Sequence, residues 1–171
     1  MKHSQWIWLP VAAISTSVYA TTYFNTEQAQ QAIFGNAKLT PAFVTLTDDQ
    51  AKQVAQMTDA VMRQKEIKAW KVEGGGWFIV DQVIGKHESI TYAVGLNADG
   101  SVKQIEIMDY RESYGYQVRN PEWRKQFVGK TAAAPLKLDE DIRNISGATL
   151  SCRHVTEGIK RVLATYAVAL K

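Results

Sequence analysis

Apolar positions recur along this chain with two different periods, and the switch between them outlines the fold. Residues 25–34, NTEQAQQAIF, predict a short helix: Asn25 can cap it, Gln28 stands three residues on, and Gly35 can end it. Pro41 breaks the next stretch. LTDDQAKQVAQMTDAVMRQ predicts a second helix, with Ala51, Val54, Ala55, Val61 and Met62 on one face. Thr47 and Gln50 have the spacing of a capping box, and Asp48 and Asp49 complement the positive end of the helix dipole.

The pattern then turns to period two. IKAWKVE and WFIVDQVI flank Gly74-Gly75-Gly76 and predict a hairpin. In ESITYAVGLN, the residues Ile90, Tyr92, Val94 and Leu96 share one strand face, and Asn97 to Gly100 form a turn. SVKQIEIMDY predicts the next strand; Val102 is out of phase with Ile105 and Ile107, as a bulge would make it. A tyrosine-rich loop, RESYGYQVRNPEW, follows. Asn120 and Pro121 open a short helix that ends at Gly129. KTAAAPLKLDED reads as a weakly structured connector. The last helix spans about Thr149 to Leu170, with Cys152, Val155, Ile159, Val162, Leu163, Tyr166 and Leu170 on its apolar face. Arg153, Glu157 and Arg161 are expected on its outer face, Glu157 and Arg161 as a favourable pair. Helices, then strands, then helices predict an α+β fold: a mostly antiparallel sheet with flanking helices and a C-terminal amphipathic helix.

Composition narrows the function. The chain has 171 residues, 46% hydrophobic and 22% charged, which suits one globular domain. A net charge of +3 without a basic run interleaved with aromatics gives no case for nucleic acid. His3, His87 and His154 are far apart, with no Cys or carboxylate at ligand spacing, so no metal site is expected. Cys152 is the only cysteine, which rules out an internal disulfide.

Residues 1–20 have the layout of a secretory signal: basic Lys2 and His3, an apolar run from Trp6 to Ile14, and small residues at Val18 and Ala20. The run is shorter than the roughly 20 apolar residues that span a bilayer. An uncleaved membrane anchor and a buried N-terminal helix are the competing readings. The expected organisation is a signal over 1–20 and a single domain over 21–171, periplasmic or otherwise exported.

Ser146-Gly147-Ala148-Thr149 precede the last helix. Helix first turns carry free N–H groups and partial positive charge, and small residues let a ligand approach them. Ser146, Thr149 and Ser151 bring hydroxyls to that end. Two readings stand side by side: a plain helix cap and a phosphate seat.

The order Ser-Gly-Ala-Thr before an amphipathic helix resembles the attachment motif of the periplasmic FMN-binding domain family. That family includes flavin subunits of the sodium-pumping NADH:quinone oxidoreductase and of the Rnf complex. Glu112, Ser113, Tyr114 and Gly115, after the strand ending near Tyr110, resemble the family's acidic–hydroxyl–glycine loop. The EQAQQAIF helix and the GLNADGSVKQIEI hairpin are also similar. In the family a separate flavin transferase esterifies the threonine to the FMN phosphate; the resemblance places that ester on Thr149. The family motif usually has Asp three positions before its first serine. Here that position is Arg143, and the nearest acid is Asp141.

The resemblance therefore implies covalent FMN on Thr149, with Ser146, Gly147 and Ala148 around it and Glu112, Ser113, Tyr114 and Gly115 as the flavin wall. Tyr114 or Tyr116 would stack on the ring. Trp123 and Phe127 are read first as core, Arg153 as a solvated partner of Glu157, Cys152 as a small buried hydrophobe and His154 as a surface residue. The implied partners are the flavin transferase and a membrane-bound or soluble redox partner. No paired base and nucleophile suggests substrate conversion, so a carrier is expected rather than a stand-alone enzyme. The alternative is an envelope binding or assembly module without flavin.

Overall fold

The computed structural model describes residues 21–58, 62 and 64–171. The signal reading of residues 1–20 and the core position of Val61 lie outside the described residues. Seven described strands form one antiparallel sheet. They are β1 (Thr21–Thr22), β2 (Leu39–Pro41), β3 (Val44–Thr45), β4 (Glu66–Val72), β5 (Trp77–Ile84), β6 (Ser89–Leu96) and β7 (Val102–Tyr110). Their order is β1-β7-β6-β5-β4-β2, with β3 also on β4. The helices are α1 (Thr26–Phe34), α2 (Asp48–Thr58), α3 (Pro121–Arg124) and α4 (Thr149–Thr165), which continues as a π-helical turn over Tyr166–Leu170.

The α+β expectation holds, and local chemistry explains much of it. Asn25 and Gln28 form a reciprocal capping box on α1, with bonds of 2.8 and 2.9 Å. Thr47 and Gln50 do the same for α2, at 3.0 and 3.2 Å. The bulge expected in β7 is present: Gly95 pairs with Gln104 and Leu96 with Val102, so Lys103 is the extra residue. Val102, Ile105 and Ile107 thereby all reach the same core.

The sheet is buried on both faces. Ile79, Val83, Tyr92, Val94 and Ile107 pack beneath Cys152, Val155, Ile159 and Leu163 of α4. The opposite face, through Phe78, Ala93 and Met108, takes Ala29 and Ile33 of α1. Gly95 is required there, since a Cβ would strike the Ile33 side chain. Gly158 plays the same part in α4: a Cβ would collide with the Tyr92 hydroxyl and sit 2.8 Å from Val83 Cγ1.

One expectation on α4 is overturned. Arg161 is not an outer-face partner of Glu157. It turns toward the sheet, and its Nη2 donates to Asp81 Oδ2 at 2.6 Å and to the Gln82 carbonyl at 3.2 Å. Tyr92, opposite Asp81 on β6, donates its hydroxyl to the same carboxylate at 2.6 Å. Asp81 stands on the inner face of β5, where a carboxylate needs a counter-charge, and Arg161 supplies it. Burial, and then the Asp81 charge, push the Tyr92 phenol well above its ordinary value.

Candidate functional site

The helix that carries the Ser-Gly-Ala-Thr motif begins on Ala148, the N-cap, which has no side chain able to cap it. Thr149 is the first helical residue. The first backbone bond of the helix runs from Cys152 N–H to the Ala148 carbonyl, at 2.9 Å. Among the described residues the N–H groups of Thr149, Leu150 and Ser151 therefore have no acceptor. None of the motif hydroxyls acts as a cap. The plain capping reading thus lacks its hydrogen bond, and the free N–H groups are of the kind that favour an anion.

The surface around this end is open. Ser146 and Gly147 are exposed, Ala148 is buried and Thr149 is half-buried. Gly147 takes φ +82°, and a Cβ there would meet nothing within 4 Å. Its backbone is thus accessible, and glycine suits the left-handed turn. Asn144 fixes the threonine. Its Oδ1 accepts from the Ile145 N–H at 2.8 Å, which orients the amide so that Nδ2 donates to Thr149 Oγ1 at 3.1 Å.

The second predicted loop lies against the same helix turn. Gly115 is buried with φ +92°; a Cβ on it would be 2.5 Å from Ser151 Oγ and 2.7 Å from the Tyr110 hydroxyl. The Tyr110 phenol, at the end of β7, bonds the Tyr114 carbonyl and meets Ser151 Oγ at 2.9 Å. One phenol thereby ties strand, loop and helix together. Ser151 faces this junction rather than the open end. Burial, eased by the Ser151 bond, raises the Tyr110 phenol above its ordinary value.

The wall residues divide. Ser113 is exposed and Tyr114 is 84% exposed. Tyr116 is exposed as well. Glu112 is engaged at the β5–β6 turn: its Oε1 accepts from the His87 and Glu88 N–H groups at 2.5 and 2.8 Å. Burial opposes its charge, yet the N–H groups of Glu88, His87 and Lys86 outweigh that and hold its carboxyl below the usual range.

Trp123 and Phe127 belong to the core, edge to face with centroids 5.1 Å apart. The Trp123 indole N–H donates to the Arg143 carbonyl at 2.8 Å. Arg143 itself is exposed. Asp141, the nearest acid to the motif, is consumed within its own loop: it pairs with Lys130 at 2.8 Å and accepts from the Leu136 and Lys137 N–H groups at 3.2 and 2.7 Å. Arg153 and Glu157 are both exposed and make no salt bridge among the described residues, so the expected pair does not form. Cys152 is fully buried, as a small hydrophobe. His154 departs from the surface reading: it is half-buried, and its Nδ1 is buried with no hydrogen-bond partner among the described residues.

Sequence reading missed Tyr110, Asn144 and His154. Tyr110 looked like one more apolar residue of a strand, and Asn144 like a loop residue. The residues present fit a flavin phosphate: free N–H groups, an open glycine and an oriented threonine hydroxyl converge on one helix end. No curated protein matches the chain. The model of the FMN-binding domain family matches residues 85–164, a span holding both the loop at Gly115 and the motif at Thr149. Residues 85–164 of the chain thus match the FMN-binding domain family, which supports a flavin-binding protein.

Proposed function

We propose that the chain is an exported flavoprotein that holds FMN covalently through a phosphoester on Thr149 and passes electrons between redox partners. The observation that carries this is the Thr149 hydroxyl, held by Asn144 beside the unpartnered N–H groups of the first α4 turn, within the family-matched segment. An esterified phosphate keeps one negative charge, which those N–H groups and the helix dipole favour. Gly147 admits the phosphate without a side chain in the way. Tyr114, held by its carbonyl on Tyr110, offers an exposed aromatic face to a flat ring. The flavin, when bound, supplies the electron chemistry, and the protein supplies attachment and orientation. A covalent bond also suits an exported protein, since a reversible site empties once free flavin falls below its dissociation constant.

The resemblance implies maturation by a flavin transferase and delivery of electrons to a membrane-bound or soluble partner. The test is the mass of protein from its own host, or co-expressed with a flavin transferase. Denatured material should be yellow and heavier by FMN less one water. Thr149→Ala should be colourless and lack that mass. Bare polypeptide from the native host would overturn the reading.

A flavin-free envelope module on the same scaffold is the second reading. It is favoured by Arg143 at the position where the family usually has Asp, and by the engagement of Asp141 with Lys130. The same mass measurement separates the two.

A further inference from the structure

Strands β4 and β5 part at one end. Their register runs from Lys71–Trp77 to Lys68–Val80 and stops there. Continued, it would set Glu66 opposite Gln82, but at Glu66 and Ile67 β4 pairs with Thr45 and Val44 of β3 instead. β5 runs on to Ile84, paired with β6 on its other side as far as Ser89. Where the two strands separate, beside α4, lies a cavity of ≈ 650 Å³, with Gln64 and Glu66 on one side and Gln82 and Ile84 on the other.

The pairing fixes where the β5 backbone points. In an antiparallel sheet the N–H and C=O of one residue face the same neighbour, and successive residues alternate. Gly85 N–H bonds the Glu88 carbonyl at 2.8 Å, so the odd-numbered residues of this edge face β6. The even-numbered ones face the cavity. Arg161 Nη2 donates to the Gln82 carbonyl at 3.2 Å from that side. The N–H groups of Gln82 and Ile84 and the Ile84 carbonyl have no hydrogen-bond partner among the described residues. A strand edge with free groups is a template for another strand. Three residues of edge, Gln82 to Ile84, are about 10 Å long.

The surroundings select the chemistry of that strand. Ile79, Val83 and Val162 give the cavity apolar walls. Asp81 and Arg161 balance each other's charge. Glu66 and Glu157 also line the cavity, both are exposed, and neither has a salt bridge among the described residues. The balance of charge is therefore negative. On the α4 wall, His154 Nδ1 is buried and likewise unpartnered among the described residues. A matching occupant has an extended backbone, an apolar side chain for the walls and basic side chains for the two carboxylates.

We propose that the open edge of β5 at Gln82 and Ile84 binds an extended, basic peptide segment of a partner protein by strand addition. Main-chain bonds to Gln82 and Ile84 hold the segment, and Glu66 and Glu157 select its charge. The site stands apart from the flavin motif, since neither Ser146–Thr149 nor Glu112–Gly115 lines the cavity. The inference therefore holds with or without an attached cofactor.

The experiment titrates the isotope-labelled full chain with acetyl-Lys-Val-Lys-Val-Lys-amide and follows backbone amides by NMR. Two controls are the Glu-Val counterpart and a Lys-Val peptide N-methylated at every peptide bond. The Lys-Val peptide should shift the Gln82 and Ile84 amides and slow their hydrogen exchange. Both controls should bind at least about tenfold more weakly, the scale of one or two lost hydrogen bonds. Ile84→Pro removes an N–H that faces the cavity and no bond to β6, and should lower affinity about tenfold. Glu66→Gln with Glu157→Gln alters no backbone group and should weaken the Lys-Val peptide severalfold. Unmoved Gln82 and Ile84 amides at millimolar Lys-Val peptide overturn the proposal. Equal binding of the N-methylated peptide overturns strand addition, and equal binding of the Glu-Val peptide overturns the choice of a basic segment.

Discussion

The phenol of Tyr110 stands 2.9 Å from the hydroxyl of Ser151, across 41 residues of sequence. That contact joins the end of β7 to the first turn of α4. Because the same phenol bonds the Tyr114 carbonyl, it ties the loop at Gly115 to the helix as well. Thr149 and the loop predicted as a flavin wall meet at this junction.

Removing the junction should loosen the loop without unfolding the protein. Tyr110→Phe and Ser151→Ala are each expected to cost about 1–2 kcal/mol, the scale of a buried hydrogen bond whose partner is left unpaired. A double-mutant cycle by urea unfolding should show the two effects to be non-additive by at least about 0.5 kcal/mol. Purely additive losses would mean that the two hydroxyls do not interact.

Two glycines of the site separate conformational strain from packing. Gly115 and Gly147 both have positive φ, +92° and +82°, so alanine is strained at either by about 1–2 kcal/mol. At Gly115 the added Cβ also meets Ser151 and Tyr110, whereas at Gly147 it meets open space. Gly115→Ala should therefore lower the unfolding free energy distinctly more than Gly147→Ala. Equal losses would show that the loop does not pack on α4 as described.

The acid limb of the stability curve should depend on Asp141. Burial opposes its charge, but Lys130 and the N–H groups of Lys137 and Leu136 prevail and lower its pKa from the ordinary value. A depressed folded-state pKa contributes stability that is fully present above the unfolded value, near 4, and is lost as pH falls through the folded one. Asp141→Asn should consequently be less stable at pH 7, with a gap to the wild type that narrows below about pH 4. Denaturant melts at pH 7 and pH 3 check this; a gap of constant size would exclude the carboxylate as its source.

Asp81 and Arg161 should behave as a pair. Arg161→Met leaves a half-enclosed carboxylate against Tyr92 and is expected to cost about 3 kcal/mol. Combining it with Asp81→Asn removes the stranded charge while keeping an acceptor for Tyr92. The double variant should recover more than half of the loss. Thermal or urea unfolding of the three proteins decides it, and a double variant less stable than Arg161→Met would refute the pairing.

Short-range chemistry was legible in the chain. The capping boxes of α1 and α2, the bulge near Val102 and the apolar face of α4 depend on residues a few positions apart, so spacing alone reveals them. The motif from Ser146 to Thr149 was legible for the same reason, since a helix start needs only its own neighbours. β2 and β3 were not, because they are two or three residues long and owe their existence to the edge of β4.

The sequence by itself determined an α+β chain with a hydroxyl-bearing, glycine-opened start to its last helix. Only the tertiary structure decided which side chains serve that site. It turned Arg161 inward to Asp81, spent Asp141 on Lys130 and Glu112 on the β5–β6 turn, and brought Gly115 against Ser151 and Tyr110. Each of these depends on a charge or a hydrogen-bonding atom finding its complement far away along the chain. Periodicity fixes the face a residue occupies, but the partner it meets there is fixed only when the sheet and α4 close on each other.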